Sequence, residues 1–340
     1  MTKDRRITKP VKLAVLFAGA CALGCAQALP PVILQIDTDN FVQYVEDTSD
    51  SSKFATSPNM TPGVVPRNFG SFAAIGDIVA VNGQAARGTV TYSARRLNLT
   101  TASAPGQAIA DTTRQSIINE DFEIQSAEGI PIGTIICVGL GGPGPPFPGA
   151  PSSQAQANQT IVGGTGAYLG VRGETGGGTN PNAVPIRVAS IVEDPAFRRT
   201  NGGGKTRQIF LVIPSSRPQI AVTANGPAIT HSGDFSLVSP SKPAAAGEIL
   251  SLFATGLGPT RPSVDPGQPF PSSPLAAVNS PVVVTVNGET AEVLGAVGYP
   301  GTLDSYQVNF RVPPDMVKGT ATVQVSVAWV PGTPVNITVQ

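Results

Sequence analysis

Strict alternation of apolar and polar residues marks the last third of the chain. Apolar residues occupy every second position in Tyr306–Val312 and in Ala321–Trp329, with mostly polar residues between them. A period of two places one face of a strand in a core and the other in water. Two further runs, Pro281–Val286 and Glu289–Val297, meet at Asn287-Gly288, a dipeptide that favours a tight hairpin turn. This pattern predicts an antiparallel β-sandwich.

Shorter strands are predicted in the region before the sandwich. Turn residues such as Asn82-Gly83 separate apolar stretches throughout Val32–Pro214. In one stretch Phe122 and Ile124 share a face, with acidic and amide side chains opposite them. About seven to nine short strands of this kind favour a closed or nearly closed antiparallel barrel. The proline-rich run Pro214–Pro218 resembles a linker between the two regions. The predicted fold class is therefore all-β, with a barrel followed by a sandwich.

The first residues have the pattern of a secretory signal peptide. Five basic residues precede the apolar run Leu13–Gly24, and Ala26-Gln27-Ala28 supplies small residues for cleavage after Ala28. The apolar run is shorter than the roughly 20 residues that a spanning helix needs. The pattern predicts a secreted, periplasmic or cell-surface protein, with lipid anchoring at Cys25 as the alternative. The predicted segments are residues 1–28 (signal peptide), 29–214 (barrel) and 215–340 (sandwich).

The net charge of the chain without its leader argues against nucleic acid as a partner. Without the five basic residues and one acidic residue of the leader, 17 Lys and Arg face 21 Asp and Glu. A chain with this acidic balance offers no basic stripe to replace the counterions of a nucleic acid. Charged residues make up only 13% of the chain, and glycine and proline number 38 and 33, which suits strands joined by frequent turns.

The glycine-rich stretch Ile161–Glu174 (IVGGTGAYLGVRGE) suits a tight reversal between strands, because glycine is costly inside a helix. Together with Phe122–Ile124 and Gly133-Thr134, it resembles the signature of dirigent and allene-oxide-cyclase barrels. The resemblance implies an eight-stranded antiparallel barrel with an apolar interior. Plant members of that group guide radical coupling or cyclise a lipid epoxide. Those reactions depend on residues outside the signature, so the resemblance implies the fold and not the reaction.

Six runs follow one another in the C-terminal third: Pro243–Ile249, Ala254–Thr260, Pro274-Leu275, Val284–Gly288, Tyr306–Pro313 and Val335–Gln340. Together they resemble a domain found at the end of many secreted acidobacterial proteins. That resemblance implies an immunoglobulin-like fold of the IPT/TIG kind and an extracytoplasmic setting, with no chemistry.

Residues that carry chemistry are scarce. Gly139–Gly144 matches a dinucleotide fingerprint by letter, but the surrounding prolines forbid the helix which that site requires. Gly202–Thr206 resembles the end of a phosphate loop and lacks its first glycine. After removal of the predicted signal peptide, Cys137 is the remaining cysteine, and we expect it to be a buried core residue. His231 is the sole histidine and has no nucleophile elbow nearby. We therefore expect no catalytic residue, no metal and no cofactor.

The interior of the barrel is the best candidate site, because small barrels either fill with side chains or hold one small apolar ligand. If the resemblance sets the register, Glu123, Tyr168 and Arg172 are the polar groups nearest a lumen. Alternatively, Arg172 pairs with a carboxylate at the rim and holds the turn.

Two functions follow from this sequence. The first is a secreted non-enzymatic protein with a binding or cell-surface role, meeting a small apolar ligand or an extracellular protein or glycan. The second is a barrel enzyme or dirigent-like guide that acts on a small apolar or phenolic molecule. Neither assigns an oligomeric state, and related barrels suggest self-association only by analogy.

Overall fold

The computed structural model describes residues 30–45, 71–97, 115–141, 157–190 and 193–340. The predicted signal peptide, its cleavage after Ala28 and the alternative anchor at Cys25 lie outside these ranges. Strands dominate the described part, which contains no α-helix and one 3₁₀ turn at Pro195–Arg198. No helix in the described ranges has the length and apolar character needed to cross a membrane. The all-β prediction is confirmed.

The first sheet closes on itself as a barrel. β1 pairs with β2 on one edge and with β9 on the other, which completes the ring β1-β2-β3-β4-β5-β6-β7-β9 of eight antiparallel strands. β8 lies outside this ring and pairs parallel with the end of β1. The predicted antiparallel barrel is confirmed. The strands of this sheet are β1 (Val32–Val45), β2 (Ser71–Val81), β3 (Gln84–Leu97), β4 (Gln115–Gln125), β5 (Pro131–Gly141), β6 (Ala157–Gly166), β7 (Arg172–Gly177), β8 (Arg187–Ser190) and β9 (Gly204–Ile213).

Apolar side chains on alternate positions fill much of the barrel. Phe122 on β4 and Phe210 on β9 meet edge to face, with ring centroids 4.8 Å apart and planes at 89°. Edge-to-face aromatic pairs are favourable, so this contact ties opposite walls of the barrel together. Other fully buried members of this core include Leu34, Ile36, Ile124, Ile135 and Ile161.

A second, curled sheet follows and encloses its own core. The tight turn at Asn287-Gly288 joins β17 to β18 with φ of 53° and 85°, as the hairpin signal predicts. The alternating residues of β19 and β20 point their apolar members inward, where Phe310 and Val325 are fully buried. The strands are β10 (Gln219–Ile220), β11 (Val222–Thr223), β12 (Gly226–Pro227), β13 (Ile229–His231), β14 (Ile249–Thr255), β15 (Thr260–Arg261), β16 (Ala277–Val278), β17 (Val282–Val286), β18 (Glu289–Gly298), β19 (Tyr306–Arg311), β20 (Gly319–Val327), β21 (Val330–Pro331) and β22 (Val335–Val339).

A two-residue turn of the second sheet covers one end of the barrel. Ala328 and Trp329 join β20 to β21 with φ of 48° and 61°, a conformation that strains residues with bulky side chains. Ala328 is fully buried and belongs to the core of the barrel, not to that of its own sheet. The indole nitrogen of Trp329 donates to Oε1 of Gln84 at 2.8 Å. Packing against the barrel therefore compensates the backbone strain of this turn.

Candidate functional site

The glycine-rich stretch forms the strand–turn–strand that its sequence predicts. β6 ends at Gly166, a turn follows, and β7 starts at Arg172. A Cβ atom on Gly164 would lie 2.4 Å from the carbonyl oxygen of Thr134, and one on Gly166 would lie 2.3 Å from that of Ile132. Neither position has room for a side chain, so these glycines serve the close approach of β6 to β5.

Tyr168 lies inside the barrel at the end covered by the second sheet. Its side chain is fully buried, and its hydroxyl donates to the carbonyl oxygen of Ala328 at 3.4 Å. Burial raises the pKa of this phenol. Tyr168 thus seals the base of the barrel and links it to the covering turn, which is a packing role.

Glu123 and Arg172 lie on the outer face, which corrects the lumen orientation expected from the sequence. Glu123 is exposed because its neighbours Phe122 and Ile124 take the inward positions of β4, and successive side chains alternate. Arg172 is exposed and donates through Nη1 to the carbonyl oxygens of Val162 at 2.7 Å and Val171 at 3.0 Å. It holds the turn through backbone carbonyls, where the alternative had expected a carboxylate.

A different carboxyl group lies in the interior. Glu120 on β4 is 1% exposed and Gln159 on β6 is 3% exposed, and the Gln159 side chain hydrogen-bonds to Glu120. Oε2 of Glu120 and Oε1 of Gln159 are both buried without a hydrogen-bond partner in the described structure. Buried polar atoms are rarely left unpaired, so these two oxygens mark a place where a partner belongs.

Burial decides the protonation state of Glu120. Desolvation raises its pKa to about 8, which outweighs the lowering effect of the Gln159 hydrogen bond, and the nearby Asp121 raises it further. The group is therefore largely a neutral acid at neutral pH. It can donate one hydrogen bond and accept others, without requiring a counter-ion in the interior.

The sequence contains a signal for Glu120 in the same alternation that places Phe122 and Ile124 on one face. Extending the same period of two backwards along β4 reaches Ile118, which is also buried, and places Glu120 on the inward face between them. Gln159 shares the inward face of β6 with Ile161, but the sequence does not reveal that face, because the neighbouring Val162 is equally apolar and points outward.

Cys137 neighbours this pair and is a buried core residue, as expected. It lies directly across from Glu120 in the β4–β5 register and is completely buried as a free thiol. Burial raises the pKa of this thiol, and Glu120 and Asp121 raise it further. A thiol held protonated in this way is a poor nucleophile.

His231 is held in a structural network of the second sheet. Its Nδ1 lies 2.6 Å from Oε1 of Glu248, and its Nε2 lies 3.2 Å from the carbonyl oxygen of Lys242. Both ring nitrogens are occupied, and neither contacts a serine hydroxyl. Elsewhere in the described ranges, no three His, Cys, Asp or Glu side chains gather as they would around a metal ion.

Comparison with known proteins gives this chain no family. No family model and no curated protein matches it. Among solved structures, the N-terminal domain of the Streptococcus gordonii adhesin Sgo0707 aligns over 91% of this chain and 92% of its own. The two share 10% sequence identity with a TM-score of 0.17, a likeness too weak to carry a conclusion about fold or function.

Proposed function

We propose that this protein is an exported, non-enzymatic binding protein whose barrel interior holds one small, mainly apolar molecule. The observation that carries the proposal is the pair of unpartnered oxygens on Glu120 and Gln159 inside a mainly apolar barrel. A ligand that buries hydrocarbon against the walls and carries a hydroxyl would satisfy both, because the hydroxyl can accept from the protonated Glu120 and donate to Oε1 of Gln159.

The chemistry around the pair narrows the ligand class. Ile118 and Phe122 flank Glu120 on the inward face of β4, so most of the contact surface is hydrocarbon. The pKa of about 8 for Glu120 means that a ligand needs no positive charge to occupy the site at neutral pH. A phenol or an alcohol on an apolar skeleton has the required hydroxyl, which both donates and accepts.

The sequence adds support of its own. The resemblance of Ile161–Glu174 to the dirigent and allene-oxide-cyclase signature is a resemblance to barrels with an apolar interior. The leader pattern of residues 1–28 favours export, and the predicted immunoglobulin-like fold of residues 215–340 favours an extracytoplasmic role.

A guide or enzyme acting on the same kind of molecule is the second candidate, and one observation favours it. A carboxyl group with a pKa of about 8 can give or take a proton near neutral pH, which suits a general acid or base. An enzyme would release a changed molecule, with a rate that inflects near the pKa of Glu120. A binding protein would return its ligand unchanged.

Native mass spectrometry of the protein from its own host tests the proposal. We expect a small-molecule adduct on the wild type that is lost in Glu120→Leu, because leucine fills the site and lacks the carboxyl group of Glu120. Glu123→Leu is the matched control, since Glu123 is on the outer face of the same strand. An adduct retained equally in both variants, or none in the wild type, contradicts the proposal.

A further inference from the structure

A groove at the junction of the two sheets forms a second place where a ligand fits. It has a cavity volume of about 360 Å³, and the barrel and the second sheet each supply part of its wall. This volume is within the range of small-molecule sites. Its principal side chains are Gln84, Ser126, Glu128, Asn279, Ser280 and Trp329, here called the junction groove.

Hydrogen bonds across the junction fix the walls of the groove and orient its polar atoms. Gln84 uses Oε1 to accept from Trp329, which leaves its amide NH₂ as a donor. Asn279 uses its NH₂ to donate to the carbonyl oxygen of Pro131, which leaves Oδ1 as an acceptor. Bonds that hold both amides in place make a preorganised site, and preorganisation favours binding.

A carboxylate and a hydroxyl add to the hydrogen-bonding groups of the junction groove. Ser126 Oγ donates to Oε2 of Glu128 at 2.7 Å, and this bond holds the pKa of Glu128 below its ordinary value. Glu128 Oε1 is a further acceptor. Ser280 is 5% exposed, and its buried hydroxyl has no hydrogen-bond partner in the described structure. Unsatisfied buried hydroxyls of this kind are uncommon in folded proteins.

Trp329 supplies the apolar surface. Part of its indole packs on the core of the barrel, and the remainder lines the groove. Its positive φ is an unusual conformation for so large a side chain, and such outliers concentrate at ligand sites. The groove thus combines an aromatic surface with fixed donors and acceptors of neutral and anionic character. Among the described residues that line it, Glu128 is the only ionisable side chain.

We propose that the junction groove binds a neutral carbohydrate. Each sugar hydroxyl both donates and accepts, which matches the mixture of a free amide NH₂ on Gln84 and free acceptors on Asn279 and Glu128. The C–H faces of a sugar ring supply hydrocarbon to pack on Trp329. An anionic ligand would meet the charge of Glu128, so a neutral glycan fits better than an acidic one. This site is separate from the barrel interior and does not depend on the function proposed for it.

Intrinsic fluorescence gives a direct test, because Trp329 is the only tryptophan in the chain. The full chain is titrated with neutral cello-, xylo-, manno- and chito-oligosaccharides, and Trp329 emission is followed. We expect a saturable change with at least one of these sugars. Asn279→Ala and Gln84→Ala should each weaken that binding by about tenfold, which corresponds to about 1.4 kcal/mol.

The control variant is Asn225→Ala, an exposed amide in the turn between β11 and β12, which should bind as the wild type does. Melting curves of each variant verify that it is folded. The proposal is overturned if none of the sugars changes Trp329 emission, or if both groove variants bind with wild-type affinity. Binding of an acidic oligosaccharide in preference to every neutral one also overturns it. Loss of the barrel ligand in Glu120→Leu leaves this outcome unaffected, so the two proposals fail separately.

Discussion

Glu120 is a carboxylic acid buried in the interior of the barrel, and its burial has an energetic cost. Its carboxyl lies between Ile118 and Phe122 on the inward face of β4, with Gln159 as its hydrogen-bonding neighbour. A hydrophobic residue at this position would cost less to bury. The presence of an acid there is thus a local conflict with stability, and such conflicts are expected at functional positions.

The stability of the protein should depend on pH through Glu120. Between its ordinary pKa of 4.5 and its folded value of about 8, the folded chain keeps a proton that the unfolded chain releases. The free energy of unfolding therefore falls as the pH rises through this window, by at most about 1.4 kcal/mol per pH unit. Glu120→Gln removes this contribution and should gain stability relative to the wild type as the pH rises.

Chemical denaturation of both proteins across this window measures the effect. The control is Glu123→Gln, whose difference from the wild type should stay constant because Glu123 is exposed. Parallel curves for Glu120→Gln and the wild type would show that Glu120 is not held protonated.

Strand pairing in β6 depends on glycines that leave no room for a side chain. Gly164→Ala would drive a methyl group to within 2.4 Å of one carbonyl oxygen and 2.6 Å of another, both in the backbone. The Thr134 carbonyl cannot move without disturbing the pairing of β5 with β6, and the Tyr168 carbonyl accepts from the amide of Val171 in the turn. We therefore expect a loss of about 1–3 kcal/mol in the free energy of unfolding. Gly177→Ala on the neighbouring strand is the control, because no atom lies within 4 Å of its added carbon. Equal losses in the two variants would contradict this account of the glycine stretch.

Another element-scale contact holds the segment around the 3₁₀ turn against the outside of the barrel. Asp77 on β2 accepts from Arg198 at 2.5 Å and from Arg199 at 2.7 Å. Burial acts to raise the pKa of Asp77, but the hydrogen bonds from Arg199, Arg198 and Asn40 outweigh it and lower the value. This carboxylate therefore stabilises the fold above its ordinary pKa, and that contribution is lost as the pH falls through the lowered value.

Removing this carboxylate should release the segment. We expect Asp77→Asn to lower the free energy of unfolding by up to about 3 kcal/mol, because Arg198 keeps a buried charge without its partner. Trypsin should then cleave faster at Arg198 and Arg199, measured by peptide mapping over time. Glu292→Gln is the control: its pair with Arg311 is exposed and is expected to contribute under about 1 kcal/mol. Unchanged cleavage in Asp77→Asn would mean that the segment is held by other contacts.

Elements were more predictable than the contacts between them. Alternation at Tyr306–Val312 and the Asn287-Gly288 turn identify strands and a hairpin from neighbouring residues alone. Barrel closure instead joins β1 to β9, where Thr38 meets Thr206 at 2.6 Å across 168 positions. No local pattern encodes that pairing. The interior acid was reachable by extending the period along β4, whereas its unpartnered oxygen depends on the full three-dimensional arrangement.

At the scale of the molecule, the Ala328-Trp329 turn joins the barrel to the second sheet. The turn contributes Ala328 to the barrel core and accepts the hydrogen bond of Tyr168. Further along the junction, Asn279 donates to the carbonyl oxygen of Pro131. Such contacts should couple the unfolding of the two parts, because opening the junction exposes buried surface on both.

Calorimetry tests this coupling. The wild type should unfold in one transition, and Trp329→Ala should split it into two or move one part to a lower temperature, because the anchor of the turn is lost. Phe235→Ala is a matched control: Phe235 also has a positive φ, 56°, but is 60% exposed in the loop that follows β13. A wild-type profile in Trp329→Ala would show that the two parts unfold independently of this turn.

The covered end of the barrel also bears on how a ligand would enter and leave the interior. The short turns between β2 and β3, β4 and β5, and β6 and β7 all lie at the end where Trp329, Asn279 and Tyr168 make their contacts. For the ligand proposed above, the covered end leaves exchange to the opposite end, where β1, β3 and β5 end and β2, β4 and β6 begin. We expect the exchange rate of that ligand to be set at this end and its affinity to be set by the walls. Substitutions at the strand ends there should therefore change how fast the proposed ligand leaves without changing how tightly the interior holds it.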